Sequence, residues 1–455
     1  MLVAAAALLV LGGGVLLVAR HLLGSDLVRS QIEQQLASRL GQPVHIGSAE
    51  ASVFPRIGIA LRDVTIGAPA SVRLGHVQVV TGARGLMSRR IADAELILED
   101  GRILWPLPFS LAPPASPGAA AAPSFRIESV RRIHFRNITL ATGLPPVVLD
   151  ADGSLDGDRL AIDSLIARSG DTRLEAKGAL GSLDRLEGRL NLTGRVNVAG
   201  YEARDLRATL ALAPQRFSLS PLSFAMFGGT FEGRLDADIR GAAPRLQLKG
   251  AIARVDVADV LKNTGSSGGI TGRLGGDVAL AAAAADGAAL LQSARGMVHA
   301  TVADGSLPHL DLVRTIVLAF GKPSGAPPQG SGSAFTRLRG TFALANRTLT
   351  TSDLSLASRD FDLNGRGVLR LDTGVVDARA DVVLSPSLTG QAGTDLRRYA
   401  QQDGRVIVPV TVSGALAQPT VFVDVAAAAR RALGNELHRR ASSLLDRLFK
   451  KKKGG

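Results

Sequence analysis

Seven histidines, at positions 21, 45, 76, 134, 299, 309 and 438, are the side chains best suited to proton transfer or metal ligation near neutral pH. They stand singly. No HExxH pair puts two imidazoles on one helical face, and Asp311 is the close carboxylate neighbour of His309, a spacing that suits a loop hydrogen bond better than a metal site. Cysteine is absent, which removes thiolate zinc sites, iron–sulfur clusters, cysteine nucleophiles and disulfides. Gly265-Ser266-Ser267-Gly268-Gly269 has the letters of a nucleophile elbow, but a polar helical end precedes it and a strand-like segment follows, the reverse of what the elbow needs. Neither a P-loop nor a G-x-G-x-x-G after a strand is found. Asn137-Ile138-Thr139, Asn191-Leu192-Thr193 and Asn346-Arg347-Thr348 match the glycosylation triplet, which alternating strands generate by chance. A hydrolase would need converging acid or nucleophile groups that the sequence does not offer. The residues therefore predict a protein that is not an enzyme and needs no cofactor or metal.

Composition narrows the remaining classes. With 46% hydrophobic and 20% charged residues the chain is a folding one, and 455 residues correspond to about three domains. Aromatic residues are only 4%, with one Trp and two Tyr, so base stacking has few platforms and no nucleic-acid partner is expected. The formal charge of +13 still asks for an anionic partner, and its placement decides which.

The elements follow from periodicity. Asp26 to Leu40 has helical spacing (Leu27, Ile32, Leu36, Leu40) behind a capping Ser25, and Gly41 and Pro43 stop it. From Val44 the period becomes two. In the clearest stretch Arg185, Glu187, Arg189, Asn191, Thr193, Arg195 and Asn197 alternate with Leu186, Gly188, Leu190, Leu192, Gly194, Val196 and Val198, the pattern of a strand with one apolar face. The alternation returns at Phe217 to Leu219, Phe231 to Ile239, Arg245 to Ile252, Leu354 to Leu363, Val368 to Leu371 and Val406 to Val412. Short helical patches are predicted at Val257 to Lys262 and Leu310 to Phe320. Composition breaks at 106–123, 263–276 and 321–333 read as loops or linkers. The resulting division is an anchor over 1–23, a helix and sheet over 24–105, a Pro/Ala-rich linker over 106–123, a central meander over 124–262, a Gly/Ser-rich loop over 263–276, a second β domain over 277–424 and a basic tail over 425–455.

Both ends suggest membranes. Leu2 to Ala19 is an uncharged apolar run that as a helix reaches roughly 27 Å, close to a hydrocarbon core. A cleaved signal peptide would instead show a basic start and a small-residue cleavage site, whereas Arg20 and His21 follow the run directly. A literal positive-inside count leaves the bulk in the cytoplasm, but large domains cross regardless. At the other end, 425–453 reads as an amphipathic helix with Leu433, Leu437, Ala441, Leu444 and Leu448 on one stripe. Its cations are Arg430, Arg431, Arg439, Arg440, Arg447, Lys450, Lys451, Lys452 and Lys453. Such a face suits an anionic membrane surface; packing on a sheet end or on an envelope protein is the alternative.

Leu40-Gly41-Gln42-Pro43-Val44-His45-Ile46-Gly47, followed by Val53-Phe54-Pro55-Arg56-Ile57-Gly58-Ile59-Ala60-Leu61-Arg62-Asp63-Val64, resembles the N-terminal signature of the AsmA family of Gram-negative envelope proteins. That family is related to larger TamB-like and chorein-type bridge proteins. Met226 to Phe231, Val257 to Leu261, Asp304 to Leu312, Phe361 to Gly367 and Val408 to Gly414 with Gln418, Pro419 and Asp424 are similar to its C-terminal domain. The insert at 106–123 and the lack of a basic residue before the apolar run depart from the pattern. The resemblance implies a single-pass inner-membrane anchor, a periplasmic body and a role in outer-membrane biogenesis, through phospholipid movement or outer-membrane protein assembly.

The fold class expected is mainly β: an elongated antiparallel meander curled into a groove or open roll, with an N-terminal transmembrane helix, a few short helices and a C-terminal amphipathic helix. One apolar face per strand must be covered, either by a filled sandwich or by a ligand in an open trough. About twenty strands at roughly 4.8 Å give a trough on the order of 100 Å. Its lining is expected from Leu186, Leu190, Leu192, Val196, Val198, Leu235, Leu246 and Leu248, with phospholipid as the ligand. The rival is a membrane-anchored scaffold or chaperone-like factor with a filled core.

Overall fold

The computed structural model describes residues 25–430 apart from 53–55, 83–89, 105–106, 108–125, 142–144, 182–186, 199, 242, 264–268, 284–288, 290–291, 320–331, 392–396, 398–400, 403, 425 and 428–429. The apolar run 2–19, the tail cations beyond Arg430, the Ser-Ser motif at 265–268 and Leu186 lie outside the described residues. Among those residues no helix is long and apolar enough to cross a membrane. The chain is mainly β, a long antiparallel meander that does not close into a barrel. It divides into two compact units, Met1–Leu222 and Ser223–Gly455.

In the first unit, helix α1 (Ser25–Leu40) precedes strands β1 (Val44–Ser52), β2 (Ile57–Ile66), β3 (Val72–Thr81), β4 (Arg90–Ile91), β5 (Ala94–Leu104), β6 (Arg126–Ile127), β7 (Ser129–Ala141), β8 (Val147–Asp156), β9 (Arg159–Ser169), β10 (Thr172–Leu180), β11 (Gly188–Val198) and β12 (Tyr201–Ala213); β13 (Arg216–Met226) runs across the boundary. Neighbours pair antiparallel from β1 to β3, β3 with β5, and from β7 to β12. The exceptions are β5 with β7 and the two-residue pair β4 with β6, which are parallel. A parallel neighbour requires a crossover, because a tight turn always reverses direction. The Pro/Ala-rich insert lies between β5 and β7 in sequence and so connects strands that pair side by side.

Helix α1 buries Ile32, Leu36 and Leu40, spaced by four, against Ile46, Ile59, Leu61, Val77, Val79, Leu96 and Leu98. Each such side chain contributes about 2 kcal/mol of transfer free energy. Glu33 fixes the approach: its Oε1 accepts the Ile46 N–H at 2.6 Å and lies 3.3 Å from His45 Nδ1. This packed cluster extends to Leu155 on β8.

The second unit contains β14 (Gly229–Asp238), β15 (Arg245–Asp256), α2 (Val257–Asn263), β16 (Thr271–Ala283), β17 (Arg295–Leu307), α3 (Leu312–Ala319), β18 (Ser333–Ala345), β19 (Thr348–Ala357), β20 (Phe361–Arg370), β21 (Val375–Leu384), α4 (Pro386–Gln391), β22 (Gln401–Gln402), β23 (Arg405–Ala415) and β24 (Thr420–Val423). From β14 to β21 each strand pairs antiparallel with the next; β21 then pairs with β23, and β23 with β22 and β24. Connections therefore alternate between two rims of this unit. Helices α2, α3 and α4 fall on one rim, while the other carries the connections 239–244, 284–294, 346–347, 371–374 and 416–419.

The packed core sits toward the helix-bearing rim, where Leu312 and Ile316 of α3 are fully buried with Phe335, Leu356, Phe361, Val382, Val406 and Val408. The helical patches expected at Val257 and Leu310 are α2 and α3. The continuous alternation read over Leu354 to Leu363 is two strands: a turn at Ser358, Arg359 and Asp360 separates β19 from β20, closed by the Ser358 N–H donating to Phe361 O at 2.9 Å.

Candidate functional site

Strand β11 places Leu190, Leu192 and Val196 on one face because side chains two apart point the same way. Antiparallel register extends that face sideways. Leu190 opposes Gly178 and Leu210; Leu192 opposes Ala176 and Ala208; Val196 opposes Ala203. Through β10 the same face continues to Ile162 and Leu165 on β9. Leu190 is buried, but Leu192, Val196, Leu165, Leu174, Leu206 and Leu210 are only half-buried. Val198 ends β11 opposite Tyr201. Helix α1 packs against the β1 end of this unit, so no helix among the described residues lies over the β9–β12 face.

In the second unit Leu248 opposes Leu235 on one side and Leu280 on the other, and Leu246 opposes Ala237 and Ala282. The row from Leu248 and Leu280 runs on across Gly296, Leu344, Leu349, Leu369 and Val376. Every leucine in it is half-buried. This row lies at the far end of the strands from α2, α3 and α4. Sequence reasoning found Leu235, Leu246 and Leu248; it missed Leu280, Leu344, Leu349 and Leu369, which alternation marks as apolar but only register brings into one line.

Glycines let neighbouring backbones approach closely within these strands. Gly194 has φ +147°, and a Cβ there would sit 2.1 Å from Arg173 O; Gly276 has φ +146°, with His299 O at 1.8 Å from the same hypothetical atom. No side chain fits at either position, so neighbouring backbones approach closely there.

The polar groups serve other ends. A cavity of about 630 Å³ in the second unit is lined by Asp277, His299, Arg339, Thr341 and Asp353 among others. It coincides with register shifts in the β18–β19 and β19–β20 pairs. There Asp353 Oδ1 accepts the Thr341 N–H at 2.8 Å and the Thr351 hydroxyl at 3.0 Å, and His299 Nδ1 is 3.2 Å from Thr341 Oγ1. The hydrogen bonds to Thr341 and Thr351 hold the Asp353 carboxyl below its ordinary range. In the first unit His134 Nδ1 is 2.6 Å from Asp152 Oδ1, and the Arg136 guanidinium donates to Asp152 Oδ2 at 2.9 Å. Burial pushes the Asp152 carboxyl up, yet donation from Arg136 and His134 outweighs it and the net shift is downward. Among the described residues no group of three His, Asp or Glu could hold a metal ion. Asp311 accepts the Gly332 N–H at 2.6 Å. Of the tail cations only Arg430 is described, and it is exposed.

A half-covered meander with paired apolar rows is thus the feature to compare with known proteins. Residues 164–356 match the model of the AsmA family. Over this segment the chain is similar to the AsmA family. No curated protein and no solved structure matches the chain. The matched segment runs from β9 to β19 and contains most of the half-buried rows, up to Leu349 and without Leu369 and Val376, together with Met226 to Phe231, Val257 to Leu261 and Asp304 to Leu312. The signature at Leu40 to Val64 lies outside it.

Proposed function

We propose that this protein is a non-enzymatic carrier in which the concave apolar face of the β-meander holds phospholipid acyl chains on their way between the inner and outer membranes, in support of outer-membrane biogenesis. On this reading Leu2 to Ala19 tethers the chain to the inner membrane, the bulk is periplasmic, and the basic tail meets an anionic membrane surface or an envelope protein. The observation that carries the proposal is the run of half-buried leucines with no helix over it among the described residues. A filled core would bury those side chains as completely as Leu312 and Ile316 are buried.

The energetics fit such a role. A sixteen-carbon chain exposed to water costs on the order of 12 kcal/mol at about 0.8 per CH₂, so an apolar wall lowers the barrier to leaving a bilayer without any catalytic group. Headgroups stay outside, where the strand faces are polar. Photo-crosslinkers at Leu190 and Leu248 of the full chain are expected to capture phospholipid, identified by mass spectrometry. Adducts to protein alone would count against the carrier.

The scaffold reading draws on a different observation, the two tightly packed clusters around α1 and α3. A membrane-anchored factor that guides outer-membrane protein assembly needs such rigid ends but no lipid on the leucine rows, so the same crosslinking separates the two.

A further inference from the structure

The second unit is lopsided. Its helix-bearing rim carries α2, α3 and α4 over a packed core, with Leu318 of α3 42% exposed, whereas the opposite rim leaves more large apolar side chains in water: Ile239 is 48% exposed, Leu371 49%, Met297 42% and Val368 38%. Scattered singly, such residues need no explanation. Here they share one rim, at β14, β17 and β20. Met297 and Val368 lie on the outer face, one residue pair away from Leu280, Leu344 and Leu369 on the inner face, and Ile239 and Leu371 follow β14 and β20 at the connections of the same rim. This rim is therefore apolar on both faces of the sheet.

Its charge is mainly positive: Asp238 and the exposed Asp372 are the acidic residues described there, against five arginines. Arg240, Arg245, Arg295, Arg347 and Arg370 all stand at strand ends or connections of this rim and are exposed. Arg240 pairs with Asp238, its Nε 2.9 Å from Oδ1. The other four have no ion-pair partner among the described residues. Guanidinium groups with long apolar stems beside exposed leucine, isoleucine and methionine suit the boundary between headgroups and acyl chains: the stems and apolar side chains enter while the charges remain among phosphates.

We propose that this rim docks on an anionic phospholipid headgroup layer, with Ile239, Met297, Val368 and Leu371 dipping below the phosphates and Arg245, Arg295, Arg347 and Arg370 binding them. The inference does not depend on lipid occupying the concave face: the rim could seat on a membrane if the leucine rows carried nothing. An ordinary solvated edge would balance its charges and expose fewer large apolar side chains. A second copy of the chain would present the same arginines and repel.

The absence of cysteine makes the test direct, since a single introduced thiol takes the only label. L371C, M297C and, at the helix-bearing rim, R359C are each labelled with an environment-sensitive fluorophore in the full chain, held in phosphatidylcholine nanodiscs. Vesicles of phosphatidylcholine with phosphatidylglycerol, carrying brominated acyl chains, are then added. The expected result is a blue shift and quenching at residues 371 and 297 but not at 359, absent with phosphatidylcholine vesicles alone. In R245Q/R295Q/R347Q/R370Q the quenching at residue 371 should fall severalfold, even if the tail cations keep the chain on the vesicle, because the probe reads only its own surroundings. Equal quenching at 359, quenching unchanged in the quadruple variant, or a blue shift that grows with protein concentration before lipid is added would overturn the proposal.

Discussion

At the scale of single residues, the best-defined polar junction is at Glu95 on β5. Its carboxylate accepts from Arg131 and from Arg56, the latter at 2.6 Å, and Arg56 also donates to Asp93 O at 3.0 Å. Donation from Arg131 and then from Arg56 holds the Glu95 carboxyl below its ordinary value. A carboxyl depressed in the folded state contributes stability that is fully present above its unfolded value, 4.5 for Glu95, and is lost as the pH falls through the lower folded value. E95Q should therefore cost about 1 kcal/mol at neutral pH, given that Arg131 is largely exposed, and should flatten the acid limb of a denaturant-midpoint profile. An acid limb identical to that of the unsubstituted chain would count against the junction. The sequence displays Glu95, Arg56 and Arg131 only as charged residues far apart: Arg131 meets Glu95 through the β5–β7 parallel pair and Arg56 through the β2–β3–β5 order, neither of which alternation encodes. By contrast Leu190, Leu192 and Val196 were legible as one face, since side-chain direction within a strand is local.

Among the elements, α3 shows what spacing can and cannot reveal. Its apolar residues predict a helix, and Leu312 and Ile316 are its buried pair. Ile316→Ala should cost about 2–5 kcal/mol, because the side chain is fully enclosed and the vacated space cannot readily collapse. Urea unfolding with unchanged slope would check this, and a loss well under 1 kcal/mol would mean that α3 does not seal its rim. Helix α4 was not read from the sequence, since Pro386-Ser-Leu-Thr-Gly-Gln391 offers one large apolar residue and no period. The split of Leu354 to Leu363 is marked only by a change of phase: Leu354 and Leu356 stand at even positions and Phe361 and Leu363 at odd ones, a single break that a reading of apolar content along the segment passes over.

For the molecule as a whole, the two units each have a cluster of their own, one around Leu36 and one around Ile316, and the clusters share no residue. Substitutions without shared partners add within about 0.5 kcal/mol. The loss of stability in L36A/I316A should accordingly equal the sum of the two single losses, measured on the full chain by the same urea transitions; a markedly larger or smaller loss would show the cores to be coupled. Mainly-β class and the meander itself were legible because both rest on period and turn residues. The division near Leu222 was not, because β13 runs through it without a break in composition.

Strict back-and-forth pairing also makes strand count a matter of parity. Inserting a hairpin into the second unit would extend the leucine row by two strands and return the chain to the same edge, leaving Arg295, Arg347 and Arg370 together. Inserting a single strand would send every later turn to the opposite edge and scatter them. Length in such a unit can thus vary only in even steps, unless a crossover like the one between β5 and β7 resets direction.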